Sequence, residues 1–227
     1  MAHHKPFSKA CWSSLQKREL DACCHIQEQK GALASHAEQV CARYQTLMLR
    51  YAGALDADSR ILELGCGVSC VAQGFPAGQV TYVDSLLDDY RRVCPGALPK
   101  GQLIASMAEE FDGEAQAYDV ILATRLLSYV ENPELVLHEV ERMLKPDGVF
   151  LLSVELWPKP LAWLHYRLSR MGMQRMLKHH LYCYTRQGLE HSLKRHFTIE
   201  SRQSLPISSL LGFIKKEYFY VCRLPNS

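Results

Sequence analysis

The stretch ILELGCGVSC, from Ile61 to Cys70, constrains the fold of this chain more than any other. Its front half is apolar and strand-forming, broken by one carboxylate, Glu63, and its back half sets Gly65 and Gly67 around Cys66. A strand that ends in closely spaced glycines and hands over to a helix brings bare backbone amides next to a ligand, because a side chain at either glycine would hold the ligand off. Asp84 ends the next expected strand, 19 residues after Gly65 (84 − 65). An acidic residue at about that offset meets a ribose diol, so the ligand contains a nucleoside. The dinucleotide fingerprint requires a third glycine three residues after the second; Cys70 stands there, which disfavours NAD.

The surrounding pattern is that of an α/β domain. Short apolar runs at Ile61–Leu64, Val80–Asp84, Leu103–Ala105, Asp119–Ala123 and Val149–Val154 alternate with helical or turn segments. Strands without polar alternation are buried on both faces, as in a parallel sheet covered by helices. The clearest helix lies between Pro133 and Lys145 and stops at Lys145-Pro146-Asp147-Gly148. The first fifty residues are also helical in pattern: Ser35 followed by Glu38 reads as a capping box, and Val40, Tyr44, Leu47, Met48 and Tyr51 recur at helical spacing until Gly53. A helix from Thr185 to Arg195 and strands at Phe197–Leu205 and Glu217–Arg223 close the chain.

At 227 residues and 48% hydrophobic, one domain with additions is expected. No run approaches the roughly 18 apolar residues of a membrane span, and MAHHKPFSKACW carries no secretory apolar core, so a cytoplasmic protein is expected. Nine cysteines without a CxxC pair indicate reduced, buried thiols and no metal site. A net charge of +2 is too mild to indicate nucleic acid as a partner.

The residues resemble the class I S-adenosylmethionine-dependent methyltransferases, in their small-molecule branch (methyltransferase type 11). Ile61-Leu62 leading into ELGCG, with Asp84 ending the second strand, is similar to that family's first motif and its acidic partner. The likeness continues through Ser106-Met107-Ala108-Glu109-Glu110 and YDVILATRLLSYVENPELVLHEVERMLKPDGVFLLSV, covering Arg60 to about Val154. It implies a Rossmann-like, doubly wound, mixed seven-stranded sheet with an antiparallel C-terminal hairpin and a donor-binding core over 60–155. The chain's own pattern adds N-terminal helices over 1–55, a helical lid insertion over 156–184, and a C-terminal helix before the hairpin over 185–227.

The resemblance also implies roles. S-adenosylmethionine would be the cofactor and S-adenosylhomocysteine its product. Glu63 would orient the donor's methionine end, Gly65, Cys66 and Gly67 would pass under it, and Asp84 with Ser85 would hold the ribose. Met107 and Ala108 would border the adenine, and Thr124 would sit near the methionine portion. Met107 stands where the branch usually has an aspartate for the adenine amino group. Arg125 and Tyr129 stand where it commonly has an acid and a histidine.

Methyl transfer from a sulfonium requires alignment and exclusion of water more than a nucleophile. A hydroxyl or ammonium acceptor also requires a base, for which Tyr129, His165 and Tyr184 are the candidates. The insertion, rich in rings (Trp157, Trp163, Tyr166) and cations (Arg167, Arg170, Arg175, Lys178, His179, His180), suits a substrate-facing lid or, through 156–180, a peripheral membrane contact. A small, partly apolar or aromatic acceptor is expected. The alternatives are an RNA or protein methyltransferase docking through that insertion, and a non-catalytic donor-binding scaffold. The sequence does not fix the oligomeric state.

Overall fold

The computed structural model describes residues 9–28, 32–53, 55–170, 181–205 and 215–225. Seven strands form one sheet in the order β3-β2-β1-β4-β5-β7-β6. They are β1 (Arg60–Leu64), β2 (Gln79–Asp84), β3 (Gln102–Ala105), β4 (Tyr118–Thr124), β5 (Leu144–Leu156), β6 (Thr198–Leu205) and β7 (Lys216–Arg223). β1 to β5 pair in parallel, while β7 lies antiparallel between β5 and β6. The expected mixed sheet and terminal hairpin are both present.

The central strands are apolar on both faces because both faces are covered. On one face Leu62, Leu64, Phe150 and Leu152 pack with Val136, Leu137 and Val140 of α4 (Pro133–Met143) and Leu189 and Leu193 of α6 (Arg186–Leu193). On the other, Ile61, Val149 and Leu151 meet α1 (Lys9–Glu28), α2 (Ala32–Tyr51) and α3 (Leu87–Val93) through Cys23, Tyr44, Met48 and Leu87. Two helices are capped as their sequence dictates. Asn132 accepts the Leu135 amide hydrogen at 3.3 Å with Pro133 in the first turn, and Thr185 accepts that of Gly188 at 3.1 Å.

Three local expectations are corrected. Ser35 is not a cap: α2 begins at Ala32, since Ala32, Leu33 and Ala34 are themselves strong helix formers, and Ser35 Oγ accepts from Gln39 Nε2 at 3.4 Å inside the helix. The segment Lys145–Gly148 does not separate helix from strand. β5 already pairs Leu144 with Tyr118, and the next pair, Val149 with Val120, is five steps on along β5 against two along β4, so the proline and glycine form a bulge. Finally, the glycine loop does not open a full helix. Only a four-residue 3-10 turn, Val71–Gly74, follows it, because Gly74, Pro76 and Gly78 arrive too soon for more.

The insertion after β5 is a closed excursion. Trp157 donates its amide hydrogen to the Tyr184 carbonyl at 2.8 Å, and Leu156 and Tyr184 form a bridge. Among its described residues the helix is α5 (Lys159–Arg170). Arg175, Lys178, His179 and His180 lie outside the described residues.

Candidate active site

The site is assembled at the carboxyl ends of β1, β2 and β4, where an open α/β sheet presents its loops. Gly65 and Gly67 both take left-handed backbone, φ +65° and +53°. A Cβ on Gly65 would lie 2.5 Å from Leu126 Cδ1. One on Gly67 would meet no protein atom within 4 Å, so what a side chain there would obstruct is the cavity that Gly67 lines. Cys70 also turns left-handed, φ +42°, and is fully buried under the loop. The position that departs from the dinucleotide fingerprint is thus the point at which the loop folds back into its 3-10 turn.

Two carboxylates hold the loop's shape. Glu63, wholly buried, accepts the amide hydrogens of Val71 at 3.0 Å and Ala72 at 2.8 Å. Those are the unpaired donors at the start of the 3-10 turn, so the strand's one acid satisfies the turn's orphan amides. Burial pushes the Glu63 carboxyl up to about 8 against the pull of those two amides. Asp84 accepts the Gly67 amide hydrogen at 2.9 Å through Oδ2 and that of Leu86 at 2.9 Å through Oδ1. An ionised carboxylate has about four lone-pair sites, so two remain for a ligand. Burial likewise raises the Asp84 carboxyl, opposed by the two amides.

A cavity of about 340 Å³ opens above the loop. Of the residues expected from sequence, Gly65, Cys66, Gly67, Asp84, Ser85, Met107, Ala108, Thr124 and Tyr129 all line it. Glu63, His165 and Tyr184 are not among its lining residues. Glu63 lies beneath the loop rather than beside the cavity. Tyr184 donates its hydroxyl to the Leu127 carbonyl at 3.3 Å, and Leu181 donates its amide to the Ser128 carbonyl at 2.8 Å. The end of the insertion therefore braces the loop that carries Tyr129. Among the described residues of 156–184 none lines the cavity. α5 instead exposes its apolar side chains, Trp163 at 58% and Tyr166 at 51%.

The cavity's roof comes from the N-terminal helices. Trp12, Gln16 and Glu19 of α1 line it with His36, Arg43 and Tyr44 of α2. Ser85 donates its hydroxyl to Gln16 Oε1 at 2.8 Å, tying the loop after β2 to α1. No sequence motif marks these residues; their only signal is helical periodicity. Glu109 is a second unanticipated contributor, accepting the amide hydrogens of Glu131 at 2.6 Å and Asn132 at 3.2 Å at the rim.

Part of the cavity wall is polar. Arg125, left-handed at φ +58°, anchors its amide on the Ser153 carbonyl at 2.9 Å and directs its guanidinium toward Glu155 at 3.4 Å. Burial opposes the Arg125 charge, but Tyr129, Glu155 and Glu217 together hold its pKa above the usual value. Burial raises the Tyr129 hydroxyl while Arg125 pulls the other way. Arg43 Nη2 donates to Glu217 Oε2 at 2.6 Å, leaving its buried Nε without a hydrogen-bond partner.

The chain is similar to known proteins in sequence and in fold. A ubiquinone biosynthesis O-methyltransferase from Serratia proteamaculans is 29% identical over 128 residues, 53% of this chain and 51% of that protein. A malonyl-[acyl-carrier protein] O-methyltransferase from Porphyromonas gingivalis is 27% identical over 152 residues, covering 62% and 57%. The chain spans about half the length of the curated relatives it matches. Among solved structures, YcgJ from Bacillus subtilis superposes with a TM-score of 0.59 over 80% of this chain and 98% of that one at 16% identity. The geranyl diphosphate C-methyltransferase of Streptomyces coelicolor A3(2) does so with 0.62 over 81% and 76% at 11%. At such identities these two share the fold. The pattern of the family described as methyltransferase domain matches residues 34–197, from within α2 through the glycine loop to the residue before β6, and the chain belongs to that family.

Proposed function

We propose that this chain transfers a methyl group from S-adenosylmethionine to a hydroxyl of a small, partly apolar or aromatic acceptor. One observation carries the reading: a single cavity is lined both by the glycine loop and Asp84 and by the polar side chains of His36, Arg43, Arg125 and Tyr129. The residues present fit the donor. The left-handed glycines leave room for it, Asp84 keeps lone pairs for a ribose diol, and Met107 and Ala108 offer an apolar wall to a base. The O-methyltransferase names of the curated relatives support an oxygen acceptor.

When bound, S-adenosylmethionine supplies a methyl group on an already activated sulfonium. The chain's own residues then position and exclude water. Asp84 and the loop hold the nucleoside end, with Glu63 keeping the loop in shape. As the new carbon–oxygen bond forms, the acceptor's hydroxyl proton must leave. Tyr129, whose raised pKa keeps it protonated, serves better as a hydrogen-bond donor that orients the acceptor than as a base. His36 lines the same cavity, and an imidazole is the commonest general base.

The exposed Leu161, Trp163, Leu164 and Tyr166 on α5, with Arg167 stacked over Trp163 at 4.9 Å, support peripheral contact with an anionic membrane, where an apolar acceptor would reside. None of the described helices is long and apolar enough to cross one.

The decisive experiment incubates the purified chain with methyl-labelled donor and a metabolite extract and identifies the labelled product by mass. Thermal stabilisation by S-adenosylhomocysteine and none by NAD is expected alongside. Stabilisation by NAD alone would overturn the assignment.

A further inference from the structure

Away from the cavity, on the other face of the sheet, α4 and the turn between α6 and β6 bring two imidazoles and a carboxylate together. We propose that His138, Glu141 and His196 bind one divalent transition-metal ion with zinc's ligand preferences. The three ligand atoms lie within 4.8 Å of one another. Glu141 Oε2 is the hub, 2.6 Å from His196 Nδ1 and 3.9 Å from His138 Nδ1. Around a tetrahedral zinc ion with bonds of about 2.0–2.2 Å, neighbouring ligand atoms sit roughly 3.3 Å apart. The observed spacings fall on either side of that value, and His138, the exposed member of the three, is the one that would swing toward the other two.

Sequence and fold each supply half of the arrangement. His138 and Glu141 are three apart on α4, about one helical turn, His138 on the side away from Val136, Leu137 and Val140 and Glu141 at the edge of that buried face. His196 follows the end of α6, and its neighbour Phe197 is fixed in the core against Phe150, with ring centroids 5.3 Å apart. Two nitrogens and one carboxylate oxygen are a donor set for zinc and its neighbours with a fourth position left for water. Calcium and magnesium, which take oxygen ligands, are disfavoured. His138 is 61% exposed, which gives an ion its path in.

The state of His196 is the second observation. Its Nδ1 faces Glu141, while its Nε2 is buried with no hydrogen-bond partner, 3.7 Å from Glu134 Oε2. Without metal, the Nδ1 hydrogen serves Glu141 and Nε2 is left unsatisfied. With metal on Nδ1, the imidazole carries its hydrogen on Nε2, the nitrogen 3.7 Å from the Glu134 carboxylate. A ligating histidine whose other nitrogen donates to a carboxylate is the usual outer arrangement of such sites. Glu134 is itself held by Ser192 Oγ at 2.6 Å and Arg195 Nη1 at 3.2 Å. The ion would tie α4 to the turn that leads into β6.

The test is titration of the metal-free full chain with Co²⁺ and Zn²⁺, read by calorimetry, melting temperature and cobalt absorption. One ion per chain, a higher melting temperature and a cobalt spectrum without thiolate charge transfer are expected. His138→Ala, at an exposed position whose loss leaves the core intact, should weaken binding at least about tenfold, and His191→Ala, an exposed histidine on the neighbouring helix, should leave it unchanged. His196→Ala should abolish it. Thiolate charge transfer would assign the ion to the cysteines and overturn the proposal. So would affinity unaffected by His138→Ala, or no stoichiometric binding at all.

Discussion

Glu155 and Glu217 stand directly opposite each other on β5 and β7, both almost wholly buried, at 6% and 2% exposure. Two adjacent carboxylates in the interior repel and are costly to desolvate. Here they are shared among cations and hydroxyls: Lys215 Nζ reaches Glu155 at 2.5 Å, Arg125 approaches it at 3.4 Å, and Arg43 meets Glu217 at 2.6 Å. Tyr44 donates its hydroxyl to Glu217 and accepts from Ser153 Oγ at 3.3 Å. The acids thus fix Arg43, Tyr44 and Arg125, which all line the cavity.

Tyr44→Phe should therefore destabilise the fold by about 1–3 kcal/mol, the cost of leaving a buried acceptor short of a donor. Urea denaturation measures it. A loss below about 0.5 kcal/mol, the range of surface substitutions, would mean that Arg43 alone satisfies Glu217.

Glu63 gives a pH signature. Its folded-state pKa of about 8 lies above the ordinary value of 4.5, so the folded chain keeps a proton that the unfolded chain has lost. Stability from this group is complete below 4.5, declines as pH rises and is gone above about 8. In Glu63→Gln, which cannot ionise, the fall in melting temperature between pH 5 and pH 8 should be shallower than in the unaltered chain. Parallel curves would locate the titration elsewhere.

What the sequence discloses follows from the range of the interactions. Strands apolar on both faces and the spacing from Gly65 to Asp84 are local, so the sheet and the loop can be read directly. Glu63 has an unmistakable position but partners that depend on the brevity of the turn at Val71–Gly74. The roof is harder still: Arg43 meets Glu217 across 174 positions, and nothing near either residue announces the other. In the insertion, the described residues of α5 turn Trp163 and Tyr166 to solvent, while α1 and α2 cover the cavity, a division that depends on packing between distant segments.

Asp84→Ala removes the expected ribose acceptor along with the partner of the Gly67 and Leu86 amides. Affinity for S-adenosylhomocysteine should fall by about 1.5–3 kcal/mol, roughly ten- to 150-fold. Asp84→Asn keeps one oxygen but turns its amide group toward one of the two backbone donors, and should lose a similar amount. Calorimetry reads both. Unchanged affinity in the alanine variant would place the nucleoside elsewhere in the cavity.

Trp163 and Tyr166 separate the donor site from the outer surface of α5. Both are more than half exposed, and no described residue of that helix lines the cavity. Changing both to alanine should therefore leave donor affinity within about threefold, well under the tenfold that 1.4 kcal/mol represents. If the helix meets a membrane, the same variant should bind anionic vesicles less well, since each ring removed takes apolar area from the contact. Arg167→Gln should weaken vesicle binding further at low salt and hardly at all at high salt, where the surface attraction is screened. Co-sedimentation with vesicles at two salt concentrations distinguishes these contributions. Equal sedimentation of the variants and the unaltered chain would leave α5 without a membrane role. A more than tenfold loss of donor affinity in the Trp163 and Tyr166 variant would instead couple the insertion to the donor end of the cavity, most directly through the Tyr184 and Leu181 contacts that brace the loop carrying Tyr129.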